Sequence, residues 1–196
     1  DELLKQAENE RLQSDLDNSL PFLRQALIRK LISPSSASDT LSALPTDRVF
    51  SLPAEGPYTV CAVTVCWNPS IPRSERANRQ EQVLRLVNES ALFRSKNALC
   101  GFHSFDTFVF VLPGSYANHY RGSRLEMEEL QRELVAAFRS EAILSIGIGQ
   151  PAARLEQLPA SYQSARKASD QQFYTGGGTI TFGVANAAPV VGLAQV

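Results

Sequence analysis

The chain has 196 residues with 43% hydrophobic residues, enough for one globular core plus an appendage. Its 19 Lys+Arg and 20 Asp+Glu leave a net charge of -1, so the basic excess of a nucleic-acid-binding domain is missing. No run of 18 apolar residues occurs, and the opening DELLKQAENERLQ lacks the apolar core of a signal peptide. A soluble cytoplasmic segment with no membrane contact is expected.

Residues 2–32 are rich in helix formers and contain no glycine. Leu16, Leu20, Leu23, Leu27 and Leu31 follow at steps of four, three, four and four, the stripe of an amphipathic helix close to a coiled-coil seam. Pro21 interrupts it, and Ser19 could cap a helix starting at Leu20. Two helical pieces meeting near residue 19, or one kinked helix, are expected. Upstream, Leu3, Leu4, Leu12 and Leu16 form a stripe too thin to be stable without a partner. That piece reads either as a dimerising signalling helix or as a helix packed on its own domain. For residues 20–32, packing on the domain is favoured. The candidate dimer and signalling positions are Leu12, Leu16, Leu20, Leu23 and Leu27.

Residues 33–57 hold Pro34, Pro45, Pro53 and Pro57 with several serines, which marks a connector with one short helix around residues 39–44. The run Tyr58–Trp67 (YTVCAVTVCW) reads as a buried strand. Residues 74–90 read as a helix with Ala77, Val83, Leu84 and Val87 on one side. Residues 98–103 and 107–112 form an antiparallel hairpin around a tight turn at 104–106. A second helix spans 123–140, with Met127, Leu130, Leu134 and Phe138 as its stripe and Ser123 with Glu126 as a capping box. Residues 143–149 read as a strand, 158–172 as a third helix, and 179–182 as a last strand after the turn Gly176–Gly178. Residues 183–196 carry no regular pattern and look like a tail or a linker cut short.

The order is β-α-β-β-α-β followed by α-β. The first six elements make the ferredoxin-like split motif, with both helices on one face of a four-stranded antiparallel sheet. The fold class is thus α/β (α+β), divided into a signalling or dimerisation helix at 1–32, a connector at 33–57, a palm at 58–182 and a tail or linker at 183–196.

The three cysteines, Cys61, Cys66 and Cys100, show no paired spacing and read as small hydrophobes in a reducing compartment. Cys61 and Cys66, five apart on a strand, point to opposite faces. His103 and His119 lack the neighbours of a zinc site.

Several pieces together resemble one family. Ser104-Phe105-Asp106-Thr107-Phe108 stands at the hairpin where GGDEF domains carry Gly-Gly-Asp-Glu-Phe. Ser145-Ile146-Gly147-Ile148-Gly149 resembles that family's S-x-G strand. Leu20-Pro21-Phe22-Leu23-Arg24, the Ser161-Tyr162…Ala165 helix and the turn Phe173-Tyr174-Thr175-Gly176 resemble the degenerate GGDEF-like domain of AraC-type two-component response regulators of Gram-positive bacteria. The resemblance covers roughly residues 19–182. It implies a palm fold shared with nucleotide cyclases, a receiver upstream and helix-turn-helix motifs downstream in the same chain, and a homodimer in the full-length protein.

The resemblance also implies what an active cyclase would need: two divalent metals on carboxylates at the end of the first strand and in the hairpin. Residues 62–67 read Ala, Val, Thr, Val, Cys, Trp, without an acid. Asp106 remains, but Thr107 stands at the catalytic glutamate position. Ser104 and Phe105 replace the two glycines, and Phe105 is expected to fill the space a guanine or ribose needs. The inhibitory Arg-x-x-Asp positions hold Ser95 and Ala98. No catalytic, cofactor-binding or metal-binding residue is assigned, and no enzyme and no cofactor are expected. Asp106 reads as a turn residue bonding nearby amides, or as a remnant metal ligand.

Other chemistries find less support. His103, Ser104 and Asp106 alternate faces on a strand and do not converge as a triad. Gly176–Gly178 lacks the Gly-Lys-Ser/Thr of a phosphate loop. Arg73, Arg76 and Arg79 alternate with Glu75 and Glu81 as a solvated helix face. Two alternatives stay open: a sensor that binds a nucleotide or other small molecule in the degenerate cleft, and an RNA-binding module using Phe108 and Phe110 on one strand face. The expected function is a non-catalytic regulatory relay that sets dimer geometry, without direct nucleic-acid contact by this segment.

Overall fold

The computed structural model describes residues 2–34, 52–53, 55–116, 121–171, 174 and 176–183. The helix expected around 39–44, most of the connector, His119, Phe173, Thr175 and the segment 184–196 lie outside the described residues. The chain runs α1 (Glu2–Leu31), β1 (Tyr58–Trp67), α2 (Arg73–Glu89), α3 (Ala91–Ser95), β2 (Leu99–Ser104), β3 (Thr107–Pro113), α4 (Arg121–Ala137), β4 (Ala142–Ile148), α5 (Leu158–Asp170) and β5 (Ile180–Phe182). A 3₁₀ turn at Leu155–Gln157 leads into α5.

The strands form one sheet in the order β2-β3-β1-β4-β5. β1 lies at its centre, paired antiparallel with β3 (Tyr58↔Pro113 to Thr64↔Thr107) and with β4 (Cys61↔Ile148 to Trp67↔Ala142). Both of its faces are covered, which is why its sequence is nearly continuously apolar. Strand alternation sorts the two cores. Cys61, Val63, Val65 and Trp67 face Phe108 and Phe110 and the apolar stripes of α2, α3 and α4. Tyr58, Val60 and Ala62 face Val109, Val111, the α5 residues Leu158, Tyr162 and Ala165, and the α1 residues Leu27, Ile28 and Leu31. Cys61 is buried, and Cys66, on the opposite face next to the end of the strand, is exposed.

The palm matches the expected order, with helices α2 and α4 on one face of the sheet. The structure extends the four antiparallel strands by β5, which pairs parallel with β4 (Ile146↔Ile180). A helix-length crossover through α5 separates the two, and such a connection returns a strand in the parallel sense.

Three local expectations are corrected. Of the two forms expected for residues 2–32, a single helix holds and the two-piece form is corrected: α1 runs unbroken from Glu2 to Leu31 with Pro21 inside it. Ser19 is not a cap; its Oγ donates back to the Leu16 carbonyl at 2.8 Å. An interior proline costs about 3 kcal/mol, and tertiary packing of the following turns offsets it. Secondly, Ser123 lies buried inside α4 rather than ahead of it, and Glu126 instead accepts from Lys96 (2.8 Å) and from the Tyr116 hydroxyl (3.1 Å). Thirdly, the helix read over 74–90 stops at Glu89. Ser90 leaves the helical conformation, its Oγ accepts from the Phe93 amide (3.5 Å), and it starts α3.

The leucine stripe of α1 divides at Pro21. Leu3, Leu4 and Leu12 are 83%, 74% and 60% exposed, while Leu27 and Leu31 are buried with Ile28 and Ile32. The downstream half packs on the palm at β2, an edge strand. The Gln25 side chain accepts from the Phe102 amide (2.7 Å), and Arg29 Nε donates to the Phe102 carbonyl (2.9 Å). These bonds occupy main-chain groups that an edge strand leaves open to other chains. The contact is close enough that a Cβ at Gly101 would lie 2.8 Å from the Gln25 Cα.

Candidate functional site

The β2–β3 hairpin turns at Phe105–Asp106 and is tied to its neighbours through main-chain oxygens. Trp67 Nε1 donates to the Phe105 carbonyl (3.1 Å), and Gln80 Nε2 donates to the same carbonyl (3.2 Å) and to that of Ser104 (3.4 Å). The Val65 amide donates to the Asp106 carbonyl at 2.8 Å. The expected bonds from nearby amides to the Asp106 carboxylate are not formed among the described residues; its main chain does the work.

Thr107 turns the other way. It is buried, and Arg166 of α5 donates to its Oγ1 (3.1 Å) and to Oγ1 of Thr64, its cross-strand partner on β1 (3.3 Å). Thr64 also bonds Ser169 (3.1 Å), and Arg166 pairs with Asp170 at 3.6 Å. A guanidinium thus lies over Thr107, the position where the sequence resemblance implies the catalytic glutamate. Two divalent cations need several oxygen ligands of negative charge. Among the described residues no three His, Cys, Asp or Glu side chains come together in a way that could hold a metal ion. The donor set does not fit a metal pair, so no reaction step is derived through one.

A cleft of about 570 Å³ opens between α1, α2 and the hairpin. Its walls include Phe22, Gln25 and Arg29 from α1, Gln80 from α2, and His103 and Phe105 from the hairpin. Phe105 is 58% exposed at the edge of this space. Phe108 and Phe110 share a face, as expected, but both are fully buried beneath α2–α4 and have no face on which a base could stack. His103 packs edge-on against Tyr162 (centroids 5.4 Å) and does not join Ser104 and Asp106 in a triad.

Burial pushes the His103 pKa down, and the Arg29 and Arg166 charges add to it. A depressed histidine resists protonation in the folded state. Stability is therefore undiminished above the ordinary value of about 6.5 and falls as pH drops through it toward the folded value. The denaturation midpoint is expected to fall between pH 7.5 and pH 5, and His103→Gln is expected to flatten part of that slope. An identical slope in the variant would assign the effect to other groups.

Of the sequence-predicted signalling positions, Leu12, Leu16 and Leu23 are exposed, Leu20 is half-buried, and Leu27 lies in the core. The sequence reading missed Arg166, Gln25 and Arg29. Each is an unexceptional polar residue on a helix, and only the helix's docking against the sheet makes it a partner of the hairpin.

A family model described as GGDEF-like domain matches residues 46–170. Among solved structures, the diguanylate cyclase SiaD in complex with its activator SiaC from Pseudomonas aeruginosa is 15% identical, covers 92% of this chain and 73% of its own, and has a TM-score of 0.47. The GGDEF domain of DgcB from Caulobacter crescentus in complex with c-di-GMP is 11% identical over 65% of this chain and 76% of its own, at 0.47. The FimX GGDEF domain from Pseudomonas aeruginosa is 17% identical over 66% and 83%, at 0.39. No curated protein matches the chain. Among the described residues no helix is long and apolar enough to cross a membrane.

Proposed function

The chain belongs to the GGDEF-like domain family, and from that premise we propose that it is a non-catalytic relay domain of a cytoplasmic bacterial transcriptional response regulator of the AraC type. In this reading it joins an upstream receiver to a downstream helix-turn-helix domain of the same chain and sets the geometry of their homodimer. The observation that carries the non-catalytic part is Thr107, buried under the Arg166 guanidinium where the resemblance implies the catalytic glutamate. A fixed positive charge there disfavours the binding of divalent cations.

The relay part is supported by α1. Its downstream half is bonded to Phe102, three residues before the hairpin turn begins, while Leu12, Leu16 and Leu23 remain open to a second copy. A change of register or pairing in the upstream half, triggered by receiver phosphorylation, would pull on β2 and pass to the residues beyond 182. Such a device needs two states with different contacts. A second reading, a small-molecule sensor, is favoured by the open cleft between α1 and the hairpin.

The test has a chemical arm and a signalling arm. The 196-residue chain, incubated with GTP and Mg²⁺, is expected to form no cyclic di-GMP; formation that depends on Asp106 overturns the non-catalytic reading. In the full-length regulator, Leu16→Asp with Leu23→Asp is expected to weaken dimerisation and promoter activation together. If neither changes, the relay through α1 is wrong.

A further inference from the structure

A second, smaller cleft of about 140 Å³ lies on the other side of the α1 contact, lined by Arg24 of α1, Asn88 of α2, Arg94 of α3, and Asn97 and Cys100. Asn88 organises it. This side chain is buried, and its amide group donates to the Leu84 carbonyl (2.8 Å), which fixes the amide's orientation. Its Oδ1 then accepts from Arg24 (3.3 Å), and its main-chain carbonyl accepts from Arg94 Nε (3.0 Å). One asparagine thereby brings two guanidiniums from different helices to the same cleft.

The charges there are not balanced. No carboxylate is among the lining residues, and among the described residues neither arginine forms an ion pair. The neighbouring Glu126 is taken by Lys96 and Tyr116, and Glu133 accepts from Ser90. Arg24 Nε is buried without a hydrogen-bond partner among the described residues. A buried donor left unmade costs free energy, which is recovered if the guanidinium turns to meet an acceptor in the cleft. Paired guanidiniums with open donors match the geometry of a phosphate or another oxyanion. Since a water occupies about 30 Å³ of liquid, a tetrahedral oxyanion of a few waters' volume fits.

We propose that this cleft is an oxyanion site, taking phosphate or a phosphoryl group between Arg24 and Arg94, and that an occupied site clamps α1 onto the palm. The two cations come from α1 and α3, so one anion between them neutralises both and joins the helices. Ala98, at the acid position of the Arg-x-x-Asp motif, lines the cleft, but the charged and amide groups that would hold the anion are Arg24, Asn88 and Arg94, none of which stands at position 95 or 98. The inference stands on this cleft alone and does not require the relay reading to hold.

Calorimetric titration of the 196-residue chain with inorganic phosphate, at constant ionic strength against chloride, tests it. One saturable site is expected. Arg24→Gln and Arg94→Gln should each weaken it by about tenfold or more, as loss of a charge-assisted bond does, whereas Arg24→Lys keeps partial binding and Arg132→Gln, on exposed α4 surface, leaves it unchanged. Phosphate should also slow hydrogen exchange in residues 20–27. ADP binding more tightly than phosphate would identify a phosphoryl group on a larger molecule; equal or weaker binding would identify the free ion. The proposal is overturned if phosphate does no more than chloride, or if both glutamine variants bind as well as the parent.

Discussion

Gly147→Ala is expected to cost about 3 kcal/mol or more, at the upper end of what overpacking does, because the added methyl meets main chain rather than a side chain that can turn away. A Cβ at Gly147 would overlap the Ala165 carbonyl oxygen and the Ser169 amide of α5, and one at Gly149 would overlap the Ser161 carbonyl. Gly147 on β4 and Gly149 just after it let α5 lie directly on the sheet backbone, and small residues on α5 complete the fit. Ser161 uses the proximity. Its Oγ donates to the Gln150 carbonyl (2.6 Å) and accepts from the Val60 amide (3.3 Å), so one hydroxyl joins α5, β1 and the end of β4. The SIGIG strand and the Ser-Tyr-x-x-Ala helix are thus two halves of one contact. That contact sets the height of α5 and with it the reach of Arg166 to Thr107. Gly122→Ala is the control. Nothing lies within 4 Å of a Cβ there, and it sits in the first turn of α4, so alanine should be neutral or stabilise by up to about 1 kcal/mol. Chemical denaturation of the two variants decides. A loss at Gly147 no larger than the change at Gly122 would mean that α5 can back away from the sheet.

Strand and helix periodicity was legible wherever a segment buries a regular face. YTVCAVTVCW could only be a strand covered on both sides, and Met127, Leu130, Leu134 and Phe138 lie on one buried line. What escaped reading depends on contacts between segments distant in sequence. Pro21 argues locally for a break, but the helix continues because Leu27, Ile28 and Leu31 are held by the sheet. Ser123 and Glu126 have the spacing of a capping box, yet Lys96, thirty residues away, takes the carboxylate. Conversely, the short helix α3 was announced by Ser90 but masked by the α2 pattern running into it. The hairpin could be read as lacking its catalytic glutamate. That a guanidinium from α5 covers Thr107 could not, because nothing in Arg166 or its neighbours predicts which strand the helix will cross. Phe105 sits at the rim of the cleft, where the turn leaves its ring 58% exposed.

Ile28→Asp is expected to release the downstream half of α1 from the palm without unfolding the palm itself. Ile28 is fully buried among Leu27, Leu31 and the second face of the sheet. Burying each such side chain contributes roughly 1.5–3 kcal/mol, so a few of them hold the helix half in place. An unpaired carboxylate at this position costs several kcal/mol unless it reaches water. The cheapest way to reach water is for α1 to lift off, since the opposite core of Phe108, Phe110, Phe138 and the α4 stripe does not include α1. Amide exchange in residues 20–31 should then accelerate by orders of magnitude, while β1, β3 and β4 stay protected. Loss of Gln25 and Arg29 from Phe102 would also bare the β2 edge, so the variant should self-associate more as concentration rises. Leu12→Asp, on the exposed upstream half, should do neither. If Ile28→Asp instead unfolded the whole chain in one transition, α1 would be an integral part of the palm, and a signal could not reach the hairpin by moving it. If exchange in residues 20–31 stayed slow, the polar bonds to Phe102, rather than the buried leucines and isoleucine, would be what holds the helix.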